Sequence, residues 1–332
     1  MSRAARKTVK RVDVVGVGLN ATDTLVRLPH FPAFDTKVEL LSADVRPGGQ
    51  AASAMVACSR WGLHARYVGK VGDDAAARFQ SDVFGRARVE AHLLRVPECS
   101  SQIAYILVDG SSGERTILWK RDARLTIRPA ELKRDWIVRA RGLLVDGHDT
   151  AAAATAARWA RAAGIPVVAD IDKLYPGVEV LLEVTDYLMA SRDLPKRLTG
   201  ESNLLKSIPE IARRFKCRIA GVTLGRLGAL AWDGGRFYYS RGYEVKALDT
   251  TGAGDVFHGA FLYGVLAEWP TERILDFSCA AAALNCTALG AQGGIATLHE
   301  IEKLRKKGAR SEAAYDEAEL QGGKLRLEKI VE

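Results

Sequence analysis

The chain has 332 residues, 48% of them hydrophobic and 27% charged, with a formal net charge of +8. That composition excludes disordered, collagenous and coiled-coil classes, and a chain of this length buries about 75% of its unfolded surface without needing disulfides or metals. Five of the net eight positive charges fall in residues 1–11, on Arg3, Arg6, Lys7, Lys10 and Arg11. The excess is therefore a basic N-terminal arm, with no interleaved aromatic residues to stack a base, and no nucleic-acid partner is expected. Cys58, Cys99, Cys217, Cys279 and Cys286 form no CxxC pair, which predicts reduced thiols and a cytoplasmic protein. The uncharged stretch 277–298 contains Gly290-Ala291-Gln292-Gly293-Gly294, so it reads as a buried helix and a turn, and neither a signal peptide nor a membrane span is expected.

In chain order, a β-branched run over 12–17 predicts a buried strand. A proline-punctuated region follows, with a second strand over 38–45. Residues 51–61 are small and apolar and predict a buried helix stopped by Gly62. A strand over 65–71 and an amphipathic helix over 74–88 come next. The β-rich pieces 102–109 and 115–121 flank Asp109-Gly110-Ser111-Ser112-Gly113-Glu114, a hairpin signal. After Pro129, strands over 142–145, 166–171, 187–190 and 219–224 alternate with helices that include 150–163 and 209–215. A strand pair within 230–248 turns at Asp233-Gly234-Gly235. The alternation predicts an α/β fold with a mostly parallel sheet covered on both faces. The β-rich pieces 19–47 and 99–125 fall outside it and predict a separate small sheet, a lid over a crevice.

Gly16-Val17-Gly18-Leu19-Asn20-Ala21 matches a dinucleotide fingerprint, but no helix and no strand ending in an acid follow it. The glycines instead let a strand end turn sharply beside a ligand. A stronger signal is Asp249-Thr250-Thr251-Gly252-Ala253-Gly254-Asp255, followed by an apolar-small helical run over 256–266. Residues without bulk at a helix start let amides converge on an anion, with the positive dipole end aimed at it. Asp255 would sit in the first turn. An N-terminal cap would explain Asp255 alone, but not the Gly-Ala-Gly run with Asp249 and Thr250 before it.

These residues resemble the C-terminal signature of the ribokinase-like (PfkB) carbohydrate kinases. Pro47-Gly48-Gly49-Gln50-Ala51-Ala52-Ser53 and Gly69-Lys70-Val71-Gly72-Asp73-Asp74 resemble that family's N-terminal signature. The resemblance covers about residues 12–298. It implies a three-layer α/β/α sandwich with a predominantly parallel central sheet and a small β-sheet lid. The core would comprise 12–18, 48–98 and 126–300, and the lid 19–47 and 99–125, with an arm over 1–11 and a charged extension over 301–332. It also implies transfer of the ATP γ-phosphoryl group to a sugar hydroxyl. Asp255 would be the base, Gly252, Ala253 and Gly254 the anion loop, and Asp23, Gly48, Gly49, Gln50, Ser53 and Asp146 the sugar contacts. Ser191, Thr223, Gly225, Gly228 and Cys279 would face the nucleotide. Asp249, Thr251 and Gly290 would hold K⁺, and Asp170 or Asp172 would support Mg²⁺, because Ser191 and Leu194 stand where many members carry N-x-x-E.

Gly113-Glu114-Arg115-Thr116-Ile117-Leu118 and the stretch 190–198 look most like the ketohexokinase branch, so a ketohexose or related sugar is the expected acceptor. Lys120 or Arg121 would clamp phosphate from the lid. A nucleoside kinase of the same fold is the alternative, with Phe31, Phe34 and Tyr105 available to stack a base. A homodimer through the lid is the expected assembly.

Overall fold

The computed structural model describes residues 12–111, 115–312 and 315. Among these the strands are β1 (Val14–Val17), β2 (Ala21–Leu28), β3 (Ser42–Gly48), β4 (Ala65–Val71), β5 (Glu90–Arg95), β6 (Ile103–Asp109), β7 (Arg115–Lys120), β8 (Gly142–Asp146), β9 (Val167–Ile171), β10 (Tyr187–Ser191), β11 (Ile219–Thr223), β12 (Ala229–Trp232) and β13 (Phe237–Ser240). The helices are α1 (Gln50–Arg60), α2 (Ala75–Arg86), α3 (Arg134–Val138), α4 (Thr150–Ala162), α5 (Val178–Leu182), α6 (Leu194–Thr199), α7 (Leu204–Phe215), α8 (Ala253–Leu266), α9 (Thr271–Asn285) and α10 (Leu298–Lys307). The basic arm and most of the stretch beyond Glu312 lie outside the described residues, as do 112–114 of the hairpin turn.

Nine strands form one sheet in the order β13-β12-β11-β10-β9-β8-β1-β4-β5. From β11 to β5 the neighbours run parallel, and β12 and β13 are antiparallel additions at one edge. Alternation along β1 shows how two cores arise. Val15 and Val17 enter one apolar cluster with α4 and α7, whereas Val14 enters another with α1, α8 and α9. Small residues set the spacing: α4 buries Ala152, Ala153, Ala156, Ala157 and Ala160, and α1 buries Ala51, Ala52, Ala54 and Ala57. Helices faced with methyl groups seat close to a sheet and leave few voids.

The lid is a four-stranded sheet in the order β3-β2-β6-β7. Its inner face buries Leu25, Ala104, Ile106 and Val108, with Leu289 packed against them. Its outer face leaves Val45, Tyr105 and Leu118 half-exposed.

Three elements depart from the sequence expectation. The lid's β3 starts at Ser42 rather than near 38. Strand β5 was not expected, because EAHLLR has neither alternation nor a β-branched run; its pairing with β4 makes it a strand. Helix α7 starts five residues before Pro209, because the Asn203 side chain accepts from the Leu205 amide and Leu204, Leu205 and Ile208 add to its buried face. The cap and apolar stripe outweigh the missing proline donor. At the C-terminal side, α10 buries Ile301, and Tyr243 bridges Arg310.

Candidate active site

Strand ends and one helix start meet beneath the lid. Gly252 is the N-cap of α8 at φ 75, a conformation suited to glycine. A Cβ there would also collide with the Ala291 backbone. Ala253, Gly254 and Asp255 form the first turn, whose amides have no partners within the helix. Under this turn the Asp249 carboxylate accepts from the Thr251 amide at 2.9 Å and the Gly290 amide at 2.8 Å. Asn285 donates to the carbonyls of Thr251 (3.2 Å) and Ala291 (3.1 Å). Two oxygens in the same cluster, Thr251 Oγ1 and Asn285 Oδ1, are buried without a protein partner.

Carboxylates crowd the cleft in front of that turn. Asp255 is pushed up to about 8, first by burial and then by Asp170, with Asp23 and Asp146 adding and His258 opposing. Asp23 reaches in from β2, is 5% exposed, and is pushed up to about 7 by burial and then by Asp249. A Cβ at position 48 would strike the Asp23 carboxylate and displace it. Asp170, at the end of β9, is buried well above the usual carboxylate range; Gln50 hydrogen-bonds it. The Gln50 Oε1 atom stays buried with no partner, an acceptor available to a hydroxyl.

His258, in the second turn of α8, locks the floor. Its Nδ1 lies 2.7 Å from the Gly254 carbonyl and 3.2 Å from Asp170 Oδ2, and its Nε2 lies 2.9 Å from the Met189 carbonyl. Burial lowers its pKa, while the two carbonyls and Asp255 favour the charged ring.

Beside the first turn of α8 lies a cavity of about 340 Å³, lined by Thr223, Gly225, Gly228, Ala253, Gly254 and Cys279, among others. The structure thus brings together four of the five residues expected at the nucleotide. Cys279 is 6% exposed and burial pushes its thiol up to about 12, which makes it a packing residue rather than a nucleophile. The fifth residue, Ser191, is the strand partner of Thr223 at the cavity edge and donates to the Asp172 carbonyl at 2.6 Å.

Several other expectations change. Asp146 was expected to meet sugar, but it is fully buried and its oxygens accept from the amides of Leu19 (2.6 Å) and His148 (3.1 Å). It holds the β1–β2 connection to the end of β8. Ser53 is also fully buried, with its hydroxyl accepting from Gln292 at 3.3 Å. Asp170 is occupied by His258 and Gln50, and Asp172 Oδ1 accepts from the Tyr175 hydroxyl at 2.7 Å. Among the described residues no group of three His, Cys, Asp or Glu is arranged to hold a metal ion. Gly290 donates its amide to the Asp249 carboxylate and has no side chain to offer as a ligand.

The lid clamp also differs. Arg121 pairs with buried Asp149 at 2.8 Å, and Lys120 lies on the outer lid face, opposite to Trp119. Arg115 is the lid cation that reaches the anion loop, donating to the Thr250 hydroxyl. Sequence reading passed over Asn20, which donates to the Tyr67 hydroxyl at 2.8 Å and keeps a buried Oδ1 unpartnered. It also passed over His258, Tyr175, Trp119, Lys173 and Asn285. A period-two reading of Arg115, Ile117 and Trp119 would have flagged one lid face; the others carry no local signal.

A nucleotide-sized cavity beside a helix start, facing buried acids under a β-sheet lid, defines a phosphoryl-transfer enzyme. Residues 12–298 match the model of the pfkB family of carbohydrate kinases. The chain belongs to that family and is an ATP-dependent carbohydrate kinase. It is 25% identical to the 5-dehydro-2-deoxygluconokinase of Bacillus subtilis (strain 168), over 89% of this chain and 96% of the relative. It is 29% identical to the 2-dehydro-3-deoxygalactonokinase of Haloferax volcanii, over 86% of this chain and 95% of the relative. Its fold matches that of Arabidopsis thaliana ribokinase complexed with ribose and ATP, with a TM-score of 0.77 at 22% identity over 89% of this chain and 99% of the other.

Proposed function

We propose that this kinase phosphorylates a hydroxymethyl group of a ketohexose or a related sugar, with Asp255 as the base. The observation that carries the reading is the placement of Asp255, a carboxylate of raised pKa, in the same turn whose Gly254 and Asp255 amides have no partner within the helix, the Ala253 amide being held by the Thr250 carbonyl at 3.3 Å. Its proton affinity suits a general base near neutral pH. Asp255 takes the hydroxyl proton while the sugar oxygen attacks the γ-phosphorus; that O–P bond forms, the bridging bond to the β-phosphate breaks, and ADP leaves. The first-turn amides of α8, helped by Arg115, stabilise charge on the transferring group. Asp23 and Gln50 receive sugar hydroxyls, and Gly48 and Gly49 admit the backbone close to them.

Mg²⁺ taken up with ATP would neutralise charge on the nucleotide, with Asp170 and Asp172 the acids proposed to support it. The orphaned oxygens of Thr251 and Asn285, beside the Asp249 carboxylate, fit a desolvated monovalent cation, and K⁺ there would stiffen the anion loop. The outer lid face, with Val45, Tyr105 and Leu118 exposed, supports a homodimer formed lid to lid; light scattering that finds a monomer at assay concentration removes it. A carbohydrate kinase with reduced cysteines and an ATP requirement belongs in the cytoplasm.

The test is a panel of sugars and nucleosides with ATP, scored by ADP release. Ketohexoses or related sugars are expected to exceed nucleosides by at least about tenfold in kcat/KM. A nucleoside with the highest kcat/KM would favour the alternative reading. Tyr105 projects from the outer lid face and cannot stack a base in the cleft, but Trp119 is on the inner face.

A further inference from the structure

Neither the anion loop nor the hydroxyl-binding acids account for one wall of the cleft. Strand pairing in the lid sets Arg46, Asp23, Ala104 and Trp119 in one cross-strand row. Residues in such a row share a face, and strands lie about 4.8 Å apart, so Trp119 stands about 10 Å from Asp23 along the inner surface. Ala104 between them contributes only a methyl group. That leaves a shallow track about as long as a sugar of hexose size.

The far end of the track is closed by a cation. Lys173, two residues beyond β9, holds its ammonium 5.3 Å from the Trp119 ring centroid and 5.0 Å from that of Tyr175. Tyr175 is itself fixed, donating to Asp172 at 2.7 Å and lying 3.1 Å from His148 Nδ1. Two ring faces attract an ammonium without accepting conventional hydrogen bonds, so its three N–H donors remain for another group. Among the described residues no carboxylate forms an ion pair with Lys173; neighbouring Arg121, by contrast, is matched by Asp149. The row is also held at both ends of β7, by Arg115 on Thr250 and by Trp119 against Lys173.

We propose that the acceptor sugar carries an anionic substituent, a carboxylate or a phosphate, at its end remote from Asp23, and that Lys173, braced between Trp119 and Tyr175, selects it. The inference rests on the sugar kinase reading and narrows its substrate class. An ammonium pairs with either anion as a point charge, so the two sources share one chemistry. The apolar C–H face of the sugar would lie along Trp119.

The experiment compares matched acceptors with the full chain: a ketohexose against a 2-keto sugar acid of equal length, and a free sugar against its monophosphate. The anionic member of at least one pair should have kcat/KM at least tenfold above its neutral mate. Lys173→Met, which keeps the apolar stem between the rings, should bring that ratio close to one through KM, and Lys173→Arg should restore much of it. The carboxylate and phosphate pairs show which anion is taken. Preference for the neutral member in both pairs, or an unchanged ratio in Lys173→Met, overturns the inference while leaving the kinase reading in place.

A binding titration separates the two readings further. Quenching of tryptophan fluorescence by the sugar acid and by the sugar monophosphate needs no turnover and should saturate for at least one of them. The saturable signal should be lost in Trp119→Phe and weakened at least tenfold in affinity in Lys173→Met. No Lys173-dependent binding of either probe overturns the inference even if no acceptor releases ADP, a result that would separately count against the kinase reading.

Discussion

Asp255 and Asp276 lie on consecutive helices, α8 and α9, and meet opposite fates. Burial acts to raise both. Asp276 is nonetheless pulled below the usual carboxylate range by the Tyr243 hydroxyl and by the guanidinium groups of Arg310 and Arg305, with contacts of 2.6, 2.5 and 2.8 Å respectively. Asp255 faces other acids and is pushed up to about 8. The paired acid ties β13's following segment, α9, α10 and the chain near Arg310 together. The crowded acids are kept at a cost in stability, and such crowding is what a proton-accepting site requires.

Replacing each acid with its amide should therefore move stability and activity in opposite ways. Asp255→Asn should lower turnover by at least about 10²-fold with little change in ATP affinity. The folded protein binds a proton at Asp255 more tightly than the unfolded chain does, so this acid's contribution to stability declines as pH rises from about 4 towards 8. Removing the charge should raise the melting temperature by a few degrees at pH 8, read by calorimetry. Near-normal turnover in this variant would discard Asp255 as the base.

Asp276→Asn should do the reverse, destabilising the protein by about 3 kcal/mol, the low end for breaking a buried ion pair, with turnover on the best acceptor little changed. Its folded pKa is depressed, so the stability it supplies is present at neutral pH and disappears as pH falls through the depressed value. Denaturant titrations at pH 7 and at a pH well below 3.8 should show the gap between wild type and variant closing at the acid end. Equal destabilisation at both pH values would show that packing, not charge pairing, holds Asp276.

Smaller effects sharpen the contrast. If the free enzyme's base is Asp255, kcat/KM should fall about tenfold per pH unit below pH 7 and level off above about pH 8. A flat profile between pH 6 and 8 would mean the base titrates elsewhere. Asp249 is a third kind of acid, held by two backbone amides beside orphaned oxygens. Turnover in K⁺ should exceed that in Na⁺ or a bulky organic cation several-fold, and equal rates would remove the cation assignment alone.

The readable part of this protein is the part written in contiguous residues. The run 249–255 already contains the glycine-rich turn, the start of α8 and Asp255, so local geometry brings them together. Parallel strands such as β8 and β9 are buried on both faces and therefore stand out as apolar runs. Illegible features depend on register or docking between distant segments. Trp119 meets Lys173, and Arg115 meets Thr250, only because β7 pairs antiparallel with β6 and folds over the core. Asp146 and Ser53 matched a family pattern by position, yet backbone amides and Gln292 claim them. No spacing in the sequence announces such claims, because the partner is 127 residues away in one case and 239 in the other.

The lid is built from two separate stretches of chain, β2–β3 and β6–β7. The chain therefore passes between lid and core four times: before β2, after β3, before β6 and after β7. A flap on one strap can twist and slide; four straps restrict this sheet more. Asp23 is mounted on that sheet, and Asp255 on the core. In the proposed mechanism, outward rocking would carry Asp23 away from Asp255. Slow ATP hydrolysis without sugar is therefore expected, read by ADP release. In this arrangement the acceptor completes the catalytic geometry by its own arrival.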